Sequence, residues 1–192
     1  MSKSSLRTIG AASALLLAGL SLTGCTVNIG STDHDMGSMN HATSEYTADD
    51  IMFMQMMIPH HQQAVDMGTL AETRASNPKV KALAAQIKGE QAPEIADMKQ
   101  WLKDAGTSMT MGHTMTMTGM LSDAQMAELE AASGAEFDRL YLEGMIAHHE
   151  VAIDMAEMVI NSKTKNTHEL GHAITDSQTE QIAYMKELLA TL

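Results

Sequence analysis

With 192 residues, 44 % of them hydrophobic, the chain holds one domain's worth of material for a core. Its 19 methionines and 3 % aromatic content favour helix over sheet, so the composition predicts an all-α protein. Twelve Lys and Arg against 24 Asp and Glu give −12; without Lys3 and Arg7, the balance after residue 24 is 10 − 24 = −14. That excludes a nucleic-acid surface, which needs clustered basic charge, and suits a surface that attracts cations.

Lys3 and Arg7 precede an apolar run from Ile9 to Leu22 that closes on Leu22-Thr23-Gly24-Cys25. A charged start, a run too short to span a bilayer and small residues at its end predict a signal peptide over residues 1–24. The ending resembles the bacterial lipobox, which implies lipidation of Cys25 and an exported lipoprotein anchored to a membrane of the cell envelope. Cys25 is the only cysteine. Once it is acylated, soft-metal chemistry outside the cytoplasm is left to methionine sulfur and histidine nitrogen.

Residues 25–44 are rich in Gly, Ser, Thr, Asn and Asp and read as a flexible tether carrying His34, Met36, Met39 and His41. The domain proper is expected over 45–192. Thr47 with Asp50 predicts a helix start, and a first helix to about Ala75. Asn77-Pro78 opens a second helix, to about Asp104, with Gly106 as its stop. Pro59 and Pro93 are expected to bend these two helices, because each lacks the amide proton of an internal bond. Gly106 to Met120 reads as a loop holding Met109, Met111, His113, Met115, Met117 and Met120, where packing gives little reason for so many thioethers. Ser122 with Gln125 caps a short third helix. A second capping box at Ser133 to Glu136 opens a long helix ending near Asn161, and the last helix is expected from about Thr167 to Ala190.

The chain repeats itself. Met57-Ile58-Pro59-His60-His61-Gln62-Gln63-Ala64-Val65-Asp66-Met67 returns 88 residues later as Met145-Ile146-Ala147-His148-His149-Glu150-Val151-Ala152-Ile153-Asp154-Met155, identical at 7 of 11 positions. With a one-residue shift, Ile87, Gln91, Ile95, Met98 and Leu102 correspond to Ile174, Gln178, Ile182, Met185 and Leu189, a helical stripe in both copies. Two such hairpins, about 47–105 and 134–191, pack most simply as an antiparallel four-helix bundle.

At 100° per residue, His60 and Met56 lie within about 40° of Met67, as His148 does of Met155, on the face that should point inward. Met57 with His61, and Met145 with His149, fall on its shoulder. Asp66 and Asp154 fall away from it and are candidates to support neighbouring helices. A buried imidazole must be hydrogen-bonded or ligated, and Gln91 and Gln178 are the candidate partners if no ion is bound. Thioethers select Cu(I) and, by the same softness, Ag(I); they have no proton to lose and form no disulfides.

The two His-His strings, with Glu90-Gln91-Ala92-Pro93-Glu94-Ile95-Ala96-Asp97-Met98-Lys99-Gln100-Trp101-Leu102, resemble the domain-of-unknown-function 305 family over about residues 44–192. That resemblance implies a ferritin-like fold and, through members associated with periplasmic copper binding and resistance, a role in copper homeostasis. It carries over to Met57, His60, His61, Asp66 and Met67 and to Met145, His148, His149, Asp154 and Met155. The leading expectation is thus a non-enzymatic envelope protein that sequesters or chaperones Cu(I), with a membrane anchor, an envelope copper donor or acceptor, and no nucleic-acid partner. No organic cofactor is expected.

Two readings compete. A ferritin-like di-iron oxidase needs paired Glu-x-x-His motifs on facing helices. Only Glu169-Leu170-Gly171-His172 is present; His168 and His172 could instead hold a separate borderline metal. A non-catalytic envelope module would use its methionines to bind a partner protein.

Overall fold

The computed structural model describes residues 45–110 and 119–192, and among them it contains helices and no strand. Helix α1 spans Ala48–Arg74, α2 Pro78–Asp104, α3 Asp123–Ala131, α4 Gly134–Ala156 and α5 Lys165–Leu189. The protein is all-α. Both capping boxes expected at Thr47/Asp50 and Ser122/Gln125 are formed, and the Asn77 side chain accepts from the Lys79 amide at the start of α2. Helices α1 and α2 run unbroken past Pro59 and Pro93, both exposed, where a lost amide donor leaves the buried face intact.

Three boundaries differ from the expected ones. Ser133 precedes α4 but makes no capping bond, since Gly134 takes φ +68° and Glu136 pairs with Arg139 at 2.6 Å instead. Helix α4 ends at Ala156, not near Asn161: the chain tightens into i→i+3 bonds, Met158 N to Met155 O and Val159 N to Ala156 O, so that Val159 can be buried. Helix α5 starts two residues early because the Thr167 hydroxyl is taken by a tertiary acceptor, Asp50 Oδ1, at 2.6 Å.

Helix α1 packs on α2 and on α4, α4 packs on α5, and α2 meets α5 more lightly; α3 rests on α4. The stripe expected on α2 is buried throughout, at Ile87, Gln91, Ile95, Met98 and Leu102; on α5 Ile174, Gln178 and Met185 are buried, whereas Ile182 and Leu189 are only partly so and Gln181 and Leu188 face inward beside them. The duplication governs the joints too. Gly68 lies so close to Ala84 that a Cβ would stand 3.1 Å from its carbonyl oxygen, and Gly171 lies as close to Ala156, at 3.3 Å. Gly68 aligns with Ala156 and Ala84 with Gly171, so both hairpins cross on one glycine and one alanine.

The repeat also pins each hairpin to the other. Asp50 accepts from the hydroxyls of Ser162 (2.7 Å) and Thr164 (2.8 Å) in the α4–α5 connection, from Thr167 (2.6 Å) in the first turn of α5, and from Thr47. Asp138, 88 positions on, accepts from the Ser76 hydroxyl (2.5 Å) and the Asn77 amide (2.8 Å) in the α1–α2 connection. Burial alone would raise the Asp50 pKa, but these donors outweigh it and hold the carboxyl down at about 2. Asp50→Ala removes the acceptor shared by the hydroxyls of Thr47, Ser162, Thr164 and Thr167 and should destabilise by about 2–4 kcal/mol. A urea midpoint unchanged from the parent would show that the clasp carries no stability.

Candidate metal centre

The core is two apolar clusters with a polar layer between them. One contains Phe53, Met57, Ile95, Met98, Ala152, Met155 and Ile174; the other contains Ala64, Met67, Ile87, Tyr141, Met145 and Met185. The residues between them on all four long helices are His60, His61, Gln63, Gln91, His148, His149, Gln178 and Gln181, all buried. The order of the clusters follows from the repeat. Met57, before the first His pair, shares a cluster with Met155, after the second, and Met67 shares the other with Met145. The histidine layer is therefore flanked on either side by one methionine from each copy.

All four imidazoles are 0 % exposed. His60 and His148 meet across the α1–α4 interface with ring centroids 3.6 Å apart and planes tilted by 31°. His61 and His149 stand 6.4 and 6.1 Å from their neighbours. The expected shoulder is in fact core, because α2 and α5 pack over it and bury Met57, His61, Met145 and His149 completely. Met56, placed inward by helix angle, is only half-buried at the edge of its cluster.

The hydrogen bonds follow the same two-fold pattern. His61 Nε2 is 2.8 Å from Glu94 Oε2, and His149 Nε2 is 2.8 Å from Gln181 Oε1. The Gln181 amide nitrogen in turn donates to Glu90 at 2.6 Å. His148 Nε2 stands 3.0 Å from the carbonyl oxygen of His60. The remaining ring nitrogens, both of His60 and the Nδ1 atoms of His61, His148 and His149, are buried without a hydrogen-bond partner. So are the side-chain oxygens of Gln91 and Gln178, which are not the histidines' partners; those are Glu94 and Gln181, one turn further along each helix. Asp66 accepts from Gln62 of its own helix, and Asp154 is exposed; neither is hydrogen-bonded to a histidine, because both project from the outer face of their helices.

Electrostatics keep His60, His148 and His149 neutral. Burial lowers the His60 pKa to about 3, helped by unfavourable charge on His61 and His149 and opposed by the nearby His148 backbone. Burial lowers His148 well below its ordinary value, with His60, His149 and His61 adding to the effect. His149 falls to about 4, again chiefly through burial, against the bond to Gln181. Neutral imidazoles offer lone pairs, as metal ligands must.

Among the described residues, no three His, Cys, Asp or Glu side chains stand together as a metal-holding group. A preformed nitrogen–oxygen site of the di-iron kind is absent there. His168 and His172 pack edge to face at 4.7 Å, while Glu169 of the half-motif points outward near Lys165. Met109 is exposed and Met120 partly buried. The Gln63 side chain bonds both backbone groups of Leu121, and Gln55 donates to the Ser108 carbonyl, so both ends of the Met-rich loop are tied to α1. Met111, His113, Met115, Met117, Cys25, His34, Met36, Met39 and His41 lie outside the described residues. Glu94, Gln181 and Glu90 were not singled out from the sequence. The offset that pairs Gln91 with Gln178 also pairs Glu94 with Gln181, and that was the available signal.

The profile of the family described as "Domain of unknown function (DUF305)" matches residues 50–189. Among solved structures, a DUF305 protein of Streptomyces coelicolor inferred to be secreted is 30 % identical with a TM-score of 0.71, covering 76 % of this chain and 95 % of its own. A DUF305 fragment from Deinococcus radiodurans is 27 % identical with a TM-score of 0.70, over 76 % and 98 %. CopM in its Cu(I)-bound form is 31 % identical with a TM-score of 0.63, over 76 % and 97 %; it has also been solved with Cu(II) and with silver. No protein of curated function matches the chain.

Proposed function

The chain belongs to the DUF305 family, and on that footing we propose that it binds Cu(I), and Ag(I) by the same chemistry, as a non-catalytic sequestering or chaperoning protein of the cell envelope. The single observation that carries this reading is the buried histidine layer. Five imidazole nitrogens are cut off from water without a hydrogen bond, between two pairs of methionines. An unsatisfied buried polar group costs about 1–3 kcal/mol, so five without compensation would be a large penalty for a marginally stable fold. A soft ion supplies the missing partner for nitrogen and sulfur together. The copper- and silver-bound forms of CopM support the same choice of ion.

In this proposal His60, His61, His148 and His149, with Met57, Met67, Met145 and Met155, form the core site, and Met56 lies at its margin. The framework is an antiparallel four-helix bundle of ferritin-like type, built from the two hairpins. The Met-rich loop from Met109 to Met120 and the tether with His34, Met36, Met39 and His41 add weaker sites. Lipidated Cys25 holds the protein to an envelope membrane; no helix among the described residues is long and apolar enough to cross one.

Competition with a chromogenic Cu(I) chelator tests the reading. Stoichiometric loss of copper from the chelator to the purified chain is the expected result. No transfer would overturn it and favour the partner-binding alternative. Deleting residues 109–120 should lower the number of ions taken up while leaving the tightest binding step unchanged.

A further inference from the structure

The hydrogen bonds around the histidine layer determine more than burial: they select which nitrogen of each ring carries the proton. Glu94 offers a carboxylate oxygen, which in its ionised form only accepts, so His61 Nε2 is the donor across their 2.8 Å contact. The carbonyl oxygen of His60 likewise only accepts, so His148 also carries its proton on Nε2. Gln181 is fixed by its second bond. Its nitrogen donates to the Glu90 carboxylate at 2.6 Å, which turns its oxygen toward His149 and makes His149 Nε2 the donor. A neutral imidazole has one proton. In all three rings the lone pair therefore stands on Nδ1, and these are the buried nitrogens that have no partner.

We propose that Glu94 and Gln181 are positioning residues that hold His61 and His149 with Nε2 protonated, so that Nδ1, as in His148, is the nitrogen each ring presents to a soft ion, beside methionine sulfur and not as one cluster of three imidazoles. The inference rests on the Cu(I)/Ag(I) reading above and names the ligating atoms and the groups behind them. Both copies reach the same result by different chemistry. His61 ends directly on a carboxylate that is 22 % exposed, where water helps to solvate the charge. His149 ends on a buried amide that passes the interaction on to the half-buried Glu90. A carboxylate at position 181 would place a charge deep in the layer; the amide avoids that cost while keeping an acceptor at the same place. Each ring is thus backed by an anionic group at the rim, which raises the donor strength of the opposite nitrogen and offsets the charge of an arriving cation. His60 has no such partner, and its tautomer is left free to suit the ion.

The test uses the full chain with 15N-labelled histidine. In the metal-free protein, long-range proton–nitrogen spectra should show protonated Nε2 and bare Nδ1 for His61, His148 and His149. On titration with Ag(I), the Nδ1 signals should move while the Nε2 protons stay in place. Glu94→Gln, which retains an acceptor but loses the charge, should keep the tautomer and bind Ag(I) more weakly than the parent. Glu94→Leu and Gln181→Leu should lose the tautomer preference and weaken Ag(I) binding about 10–100-fold. Gln181→Glu, which sets a second carboxylate against Glu90 deep in the layer, should not restore what Gln181→Leu loses. Silver bound through Nε2, or leucine variants that bind as the parent does, would overturn this inference and leave the metal reading standing. A parent chain that shows the stated tautomers yet binds no Ag(I) would overturn both.

Discussion

Replacing His60 and His148 together by alanine should weaken Ag(I) and Cu(I) binding by on the order of 100-fold or more, since both central ligands are lost and each tenfold is about 1.4 kcal/mol. The clearest readout is thermal. An ion present at about 1,000 times its Kd stabilises the folded state by about 4 kcal/mol. For a chain of this size that is a rise in Tm of about 8–16 °C. The parent should show such a rise with silver and the double variant should not. In the metal-free state the two should melt within a few degrees of each other, because the substitutions open space but also remove buried nitrogens that bond to nothing. A double variant that keeps the full silver-dependent rise would remove His60 and His148 from the site.

The second large effect is acid sensitivity of the metal-free protein. His60 and His149 have folded pKa values of about 3 and 4, and His148 is lowered as well, against an ordinary 6.5 in the unfolded chain. Below pH 6.5 the unfolded chain therefore binds more protons than the folded one, and stability falls as pH falls. It is full above that value and declines by about 1.4 kcal/mol per pH unit for each histidine that stays neutral. Between pH 6.5 and 4, His60 and His149 remove on the order of 6 kcal/mol, comparable to the whole stability of a typical domain, and His148 adds to the loss. Asp50 is not yet involved, since its contribution is lost only between pH 3.8 and about 2. Circular dichroism should show the metal-free chain unfolding by about pH 4–5. Bound silver should shift that transition to lower pH, because thioethers do not compete with protons. A metal-free fold that survives unchanged at pH 4 would contradict the neutrality of buried His60, His148 and His149.

How far the site could be read in advance differs from residue to residue. The His-His pairs, the flanking methionines and the inward stripes of α2 and α5 were legible because helical periodicity is local and the repeat states it twice. Met56 misled, since an angle on an isolated helix says nothing about where the neighbouring helices stop covering it. His61 and His149 were placed on a shoulder for the same reason: α2 and α5 widen the buried face beyond what α1 and α4 show alone. Gln91 and Gln178 were reasonable partners by position, but reach is a three-dimensional matter, and the contacts went to Glu94 and Gln181 one turn away. The start of α5 moved because a threonine that could have served a local role was recruited by Asp50, 117 residues away.

By itself the sequence determined the helical class, the duplication, the family and the gathering of imidazoles and thioethers on two equivalent helices, because these depend on residue type and spacing along the chain. Only the tertiary structure decided that the two copies meet at the His60–His148 ring pair, that the methionines sort into one from each copy on either side, and which oxygens hold which nitrogens. Those outcomes depend on how antiparallel helices from distant parts of the chain come to lie side by side, and that is settled by packing across the interface.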